Sequence, residues 1–454
     1  MIFLSYGLQA VPFVVALLLG LLVPVLLIYL HRNFALGLFL VAFSFLLDTL
    51  TLGGVAINLG FNLFSADLVF LLLAFSATVR LLLVADCPPK NKAWFVFSAL
   101  VLVSLLTGLA TFGSSAGVQG RSYFYFVVAG SYAMSFPATE WRVLSLFKAM
   151  ATVTLALIGI AFYRWVVYYL PISSLLPPGG TYNIDGAIRV IYSNHVLVMA
   201  QVMVAAFFFA VASPSFALIR IFSPLLLGMV VVLQHRSVWL AAMVGVLVRM
   251  LLGKTQSGSV MNQLVVVAAI AAVTAVPLAF NQTLSGVTQQ VSNSAAGAVS
   301  GGGTGGERLQ SWGEIVKNWY GAGARSIAIG QSFGSDNTRT VVNESGQSKQ
   351  ISYIAHNLYV QTLFNTGLLG LLAYGIASFY VLAGLYKICR TTRDNVHAEI
   401  LLVMLAMQAV YYIPYGVDYL QALLFGVALA FVANSQLPQP KTFLKQSPPV
   451  GHPP

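Results

Sequence analysis

The chain has 454 residues, of which 58% are hydrophobic and only 8% charged, against about 25% charged in an ordinary soluble domain. That balance excludes a soluble enzyme and marks a polytopic membrane protein, since apolar runs near the ~20 residues that a helix needs to cross a bilayer recur throughout. The net charge of +11 is spread over many loops instead of one cluster, which fits basic loops beside an anionic membrane surface and speaks against a nucleic-acid partner.

The N-terminal run MIFLSYGLQAVPFVVALLLGLLVPVLLIYLHR has no basic start and no small-residue cleavage site, so it is expected to stay as the first span. Further spans are expected at roughly 35–52, 60–85, 93–113, 123–136, 143–170, 195–212, 215–233, 237–253, 260–280, 356–387 and 397–434. The last reads either as one tilted helix or as two short ones broken around Pro414-Tyr415-Gly416. This is an all-α integral membrane protein with about 11–13 crossings, 12 favoured. Its parts are transmembrane helices over 1–280, one large polar loop over 281–355, C-terminal transmembrane helices over 356–437, and a Pro-, Lys- and Gln-rich tail over 438–454 read as disordered. Cys87 and Cys389 each sit beside a basic turn expected in the cytoplasm, so no disulfide between them is expected.

Basic turns at Lys90-Asn91-Lys92, Trp141-Arg142, Arg249 to Lys254 and Lys387 to Arg393 are placed on the cytoplasmic side. Alternation then puts the 281–355 loop on the opposite face, and the side of the termini stays open. That outer face holds Arg121, Arg189, Arg236, Arg308, Lys317, Arg325, Arg339 and Lys349, more cation than the topology rule favours. Either an anionic ligand is bound there, or the loop pairs these cations with its own acids Glu307, Glu314, Asp336 and Glu344.

Gln234-His235-Arg236-Ser237 is a polar knot that starts an apolar helix. A helix N-terminus favours an anion, and a guanidinium adds bidentate geometry suited to phosphate. The competing reading of Arg236 is a snorkelling interfacial side chain. Arg189, in the loop Asp185-Gly186-Ala187-Ile188-Arg189 ahead of Ser193-Asn194-His195, is a second candidate for phosphate or sugar. In the large loop, Leu309, Trp312, Val316 and Trp319 recur at helical spacing. They predict an amphipathic helix that either lies in the bilayer interface or packs on the bundle, with Arg308 at the border of its stripe. The glycines at 301–303 and 305–306 lack a following Gly-Lys-Ser/Thr, so they read as a hinge feeding a lid and not as a phosphate cradle.

His356 opens the next helix with Asn357 beside it. The positive helix end disfavours imidazolium, which suits a general base; the alternative is a polar residue satisfying a loop carbonyl. No Asp-x-Asp pair, no His-Glu-x-x-His and no cluster of carboxylates falls on the outer face. Divalent-metal catalysis, which needs such ligands, is therefore disfavoured, no cofactor is expected, and arginines are left to neutralise charge. Asp48, Asp67, Arg80 and Asp418 fall within or near spans. Charges there line a pathway or pair up, which keeps a lipid-glycan flippase or transporter open as an alternative.

Three stretches resemble a known family: His235-Arg236-Ser237 at a helix start, Glu307-Arg308-Leu309-Gln310-Ser311-Trp312 in the large loop, and the run from His356 to Gly370, HNLYVQTLFNTGLLG. With Arg189 to Asn194 as a partial fourth match, the chain resembles the superfamily of O-antigen ligases and polymerases over roughly 180–375. The resemblance implies a GT-C-like glycosyltransferase of the bacterial inner membrane, with its active site and large loop facing the periplasm. It implies a glycan donor on undecaprenyl pyrophosphate, a lipid A–core acceptor, and a metal-independent, inverting reaction. It places Arg236 and Arg308 on pyrophosphate-holding arginines and His356 on the essential histidine; Arg189 and Asn357 are expected beside them as further substrate contacts. O-antigen ligase is favoured, with a polymerase of the same superfamily, or a relative that glycosylates protein, as runner-up.

Overall fold

The computed structural model describes residues 23–51, 56–58, 62–84, 91–170, 173–176, 182–184, 187–209, 226, 228–231, 233, 235–252, 304–342, 347–392 and 395–435. The expected span at 260–280, most of that at 215–233, the first part of the N-terminal span, the glycines at 301–303 and the tail lie outside these residues.

In chain order the helices are α1 (Val23–Arg32), α2 (Phe34–Thr51), α3 (Ser65–Leu83), α4 (Lys92–Phe112), α5 (Ser114–Met134), α6 (Glu140–Tyr169), α7 (Ser193–Phe209) and α8 (Arg236–Leu251). They continue as α9 (Thr304–Gly321), α10 (Ala324–Ile329), α11 (Leu358–Thr391), α12 (Val396–Tyr411) and α13 (Tyr419–Ser435). The fold is that of an all-α membrane protein. Among the described residues α3, α4, α6 and α11 are long and apolar enough to span a membrane, and α1 with α2 make a fifth span, bent by 114°, if counted together. The C-terminal expectation resolves as two helices, α12 and α13, separated at 412–418.

Helix starts follow local chemistry. Asn91, Asn357 and Asn395 cap α4, α11 and α12, each side chain accepting the backbone N–H three residues on. Asp418 does the same for α13, accepting from Leu420 and Gln421 N–H at 2.8 and 3.1 Å. At the centre, α13 is apolar on every side and buried from Leu420 to Ala433, packed on α5. Gly426 lets the two backbones meet: a Cβ there would stand 2.2 Å from the Gly130 carbonyl oxygen, the close approach small residues give to helices in lipid.

Among the described residues three two-stranded hairpins, which apolar periodicity does not reveal, join the helices: β1–β2 (Ala56–Asn58, Asn62–Phe64), β3–β4 (Tyr182–Ile184, Ala187–Arg189) and β5–β6 (Arg339–Val342, Ser348–Ile351). In β3–β4 the register pairs Tyr182 with Arg189 and Ile184 with Ala187, so Asp185-Gly186 is the hairpin signal in that loop. The intramembrane charges are locally engaged. Asp67 meets Arg121 at 3.1 Å and the Tyr125 hydroxyl at 2.6 Å; Arg80 donates to Ser135 and to the His31 carbonyl; Asp48 accepts from Tyr419.

The second half of the large loop is fastened to the bundle. Phe333 is fully buried against Tyr123 and the glycines of α4 and α5. Gly330 and Gly367 cross back to back, both at positive φ (79° and 66°), with Gln331 N–H donating to the Phe364 carbonyl at 2.7 Å. Gly367 breaks the helical geometry of α11, and a Cβ on it would lie 2.4 Å from the Ala328 carbonyl. The glycine in HNLYVQTLFNTGLLG therefore has a structural cause: only a residue without Cβ takes this φ at this distance.

Candidate active site

A cavity of about 560 Å³ opens at the end of the bundle nearest the large loop, within the range of small-ligand sites. Its walls come from α2 (Phe45, Asp48), from β4 and the start of α7 (Arg189, Tyr192 to His195), from α9 (Arg308), from His356, and from the α12–α13 break (Tyr411, Tyr415 to Val417, Tyr419). Of the side chains singled out from sequence, Arg189, Arg308 and His356 meet here although 167 residues separate the first from the last. Arg236 and Asn357 are not among the lining residues.

Each wall is held by identifiable bonds. Buried Arg164 donates to the carbonyls of Val190 (2.8 Å) and Thr49 (2.5 Å), tying the β4–α7 corner to the end of α2. His235, the residue before α8, donates through Nε2 to the Ile191 carbonyl at 3.2 Å. Its neighbour Arg236 opens α8 half-buried, and Ser237 hydrogen-bonds the Tyr415 phenol. The N-terminus of α8 thus reaches the Tyr415 wall through Ser237, with Arg236 one residue before it. Asn357 is buried, its side-chain oxygen committed to capping α11, while Leu358 N–H donates to the carbonyls of Tyr412 and Tyr415. That places His356 against the α12–α13 break.

Helix α9 forms as expected, but its packed face is rotated from the anticipated stripe. Ser311, Ile315 and Trp319 are buried, whereas Leu309 and Val316 are exposed. Ile315 and Trp319 pack with Ala355 and Phe364, with Trp312 alongside, so the tryptophans serve packing on α11. Arg308 falls on this inward face, at spacing 308, 311, 315, 319. The helix starts at Thr304 and takes Gly305 and Gly306 into its first turn, so those two glycines belong to the helix and not to a hinge.

The cations expected on the outer face sort into two groups. Arg339 is buried, donating to Ser311 Oγ, Asn337 O and Tyr353 O; Lys317 pairs with Glu314 at 3.7 Å in the open; Arg121 is held by Asp67. Arg308 makes one long contact, 3.4 Å to the Pro414 carbonyl, and lies 5.3 Å over the Tyr415 ring.

Electrostatics follow from that geometry. His356 lines the cavity, its ring tilted by 43° to that of Tyr353 with centroids 5.3 Å apart. Its pKa is lowered from 6.5 first by the protein packed around it, then by Arg308 and Arg339. The direction is the expected one, but burial and then the neighbouring guanidiniums cause it, where the helix end was invoked. Burial pushes the Tyr415 phenol up, yet Arg308, hydrogen bonds from Ser193 and Ser237, and Arg189 bring it below its usual value of 10. A neutral imidazole and a field that stabilises oxyanions therefore share one cavity.

Tyr415, Asp48 and the tyrosines of the wall were not singled out as site residues. Their signals were the helix break at Pro414-Tyr415-Gly416 and the charged positions in α2 and before α13.

Residues 221–375, about a third of the chain, match the family model Wzy_C, O-antigen ligase. The matched segment contains Arg236, Arg308 and His356 and leaves out Arg189 and the α2 and α13 walls. No curated protein matches the chain.

Proposed function

With residues 221–375 a domain of the O-antigen ligase superfamily, whose members are glycosyl-transfer enzymes, we propose that this protein is an O-antigen ligase. It takes glycan from undecaprenyl pyrophosphate and joins it to a sugar hydroxyl of lipid A–core. In this reading it is a GT-C-like enzyme of the inner membrane, and the cavity faces the periplasm. The observation that carries the proposal is the meeting of Arg189, Arg308 and His356 in one cavity.

In the mechanism, the donor pyrophosphate lies against Arg308 and Arg189. The N-terminus of α8, which begins at Arg236 and reaches Tyr415 through Ser237, adds positive potential to that wall. The acceptor hydroxyl gives its proton to the neutral His356 ring as its oxygen attacks the anomeric carbon from the face opposite the leaving group. The new C–O bond forms as the sugar–phosphate C–O bond breaks, its electron pair passing to the pyrophosphate oxygen and the configuration inverting. The arginines neutralise that charge, so no metal is called for.

The test is to incubate purified protein with lipid-linked O antigen and core lipopolysaccharide and resolve the products on a gel. A ladder on the core is expected. Longer lipid-linked chains without a core product would assign a polymerase, and unconsumed donor moved across vesicles a flippase.

A further inference from the structure

The cavity is chemically two-sided. At one end stand Arg189, Arg308 and the Tyr415 phenol they act on. At the other stands Asp48, and the charges within its reach are the acidic Asp418 and Asp67. The mechanism makes no use of this second end.

Asp48 Oδ2 accepts the Tyr419 hydroxyl at 2.5 Å, and Oδ1 takes no protein hydrogen bond among the described residues. His195, 2% exposed in the cavity wall, is held by Thr49 at 2.9 Å. Because Thr49 Oγ1 already donates to the Phe45 carbonyl, its one proton is spent and His195 Nε2–H is the donor. The other ring nitrogen, Nδ1, is then a lone pair, and it is buried without a partner among the described residues. Asn194 spends one amide N–H on Asp418 at 2.8 Å, which leaves its carbonyl oxygen and its second N–H. His195 Nδ1 is sealed inside the wall, so the acceptors left for a ligand are the Asp48 carboxylate oxygen and the Asn194 amide carbonyl. Tyr192, Phe45 and Tyr419 bound them with aromatic faces.

Acceptors grouped with aromatic rings suit a ligand that presents several O–H donors around an apolar ring face. They repel phosphate. We propose that this end is a subsite for the neutral sugar joined directly to the donor's pyrophosphate, with Asp48 the residue that selects its hydroxyl pattern. The inference rests on the cationic end holding pyrophosphate. Opposite polarity at the two ends gives the donor one orientation: phosphates toward the arginines, first sugar toward α2. A first sugar carrying a carboxylate is rejected by the same acceptors.

Binding to the purified full-length protein in nanodiscs tests this with two probes, bare undecaprenyl pyrophosphate and the same lipid carrying one neutral N-acetylhexosamine. Asp48→Asn keeps the side-chain volume and an oxygen to accept from Tyr419 while turning the free acceptor into a donor. Its affinity for the sugar-bearing lipid is expected to fall about ten- to hundredfold, with the bare lipid within twofold of wild type. Tyr192→Ala, at an open wall position, reads the same sugar-specific loss independently should Asp48→Asn not accumulate. Equal loss for both lipids, or no loss for either, overturns the subsite. Arg308→Ala separates the underlying reading: it is expected to weaken both lipids alike, and wild-type affinity there would sink the pyrophosphate assignment whatever Asp48→Asn does.

Discussion

Two knots in this molecule use the same residue types to opposite ends. In one, Arg80 lies 3.6 Å over the Phe136 ring beside His31. In the other, Arg308 lies 5.3 Å over the Tyr415 ring beside His356. Arg80 is buried and spends Nε and both terminal nitrogens on Ser135 and the His31 carbonyl. Arg308 lines a cavity, with a single 3.4 Å contact among the described residues. Arginine, histidine and an aromatic ring do not by themselves make a site. Donors left over after the fold has been satisfied do, because only those can turn toward an incoming anion without breaking a bond first.

Exchanging the two arginines' roles by mutation is the strongest way to break this contrast. Arg308→Ala is expected to lower kcat/KM about 10²–10³-fold, the effect of removing one preorganised charge donor, with little change in thermal stability. Arg80→Ala is expected to do the reverse. It strands Ser135 and a carbonyl in the bundle, so the melting midpoint in detergent falls while turnover per folded molecule stays near wild type. A stability loss in the Arg308 variant equal to that in the Arg80 variant would erase the distinction.

His356→Ala is expected to cost about 10²–10⁴-fold in kcat, the usual worth of a general base, with donor affinity retained. The pH profile sharpens this. The base works neutral, and burial first, then Arg308 and Arg339, push its pKa below 6.5, so activity should rise through an acid limb below that value and be flat by neutral pH. Removing a neighbouring cation relieves the repulsion and raises the pKa. Arg339→Gln, whose side chain is spent inside the loop, should therefore move the acid limb to higher pH without abolishing turnover. A limb that stays in place would mean that another group limits the rate.

This contrast also explains what the sequence made legible. Arg308, Arg189 and His356 stood out because charge and imidazole are scarce among apolar runs. Their scarcity reports function whenever the fold has not consumed them. Arg339 stood in the same loop with the same claim, and only the bonds to Ser311, Asn337 and Tyr353 show that it is a strut. Helices α3, α4 and α6 were readable from uniform apolar length, and the break before α13 from Pro414 and Gly416; α5 was expected only over 123–136, because Gln119 and Arg121 interrupt its first half, which is helical from Ser114. The face of α9 was misjudged because Leu309 and Val316 are apolar but exposed, while the small polar Ser311 is buried under Arg339. Tyr415 and Asp48 join the site through contacts hundreds of residues apart, which no local pattern encodes.

Gly367 offers a smaller, purely structural test of how the loop is fastened. Ala at φ 66° is strained, and its Cβ would meet the Ala328 carbonyl at 2.4 Å. Gly367→Ala is expected to cost about 2–4 kcal/mol, read as a lower melting midpoint in detergent. Its effect on activity should follow the folded fraction, since Gly367 does not line the cavity.

The smallest expected effect comes from Lys317, which sits nine residues beyond Arg308 on the same helix. Its ammonium meets Glu314 at 3.7 Å with 76% of the side chain exposed, and an open pair of this kind contributes about 0–1 kcal/mol. Because 308 and 317 lie nine residues apart, they are rotated by about a half turn around α9, one toward the cavity and the other toward solvent. Lys317→Ala should thus leave both turnover and melting midpoint within error. If it instead reduced turnover as Arg308→Ala does, the positive charge of the whole loop would be what matters, and the assignment of one unspent arginine to the pyrophosphate would have to give way to diffuse electrostatic attraction.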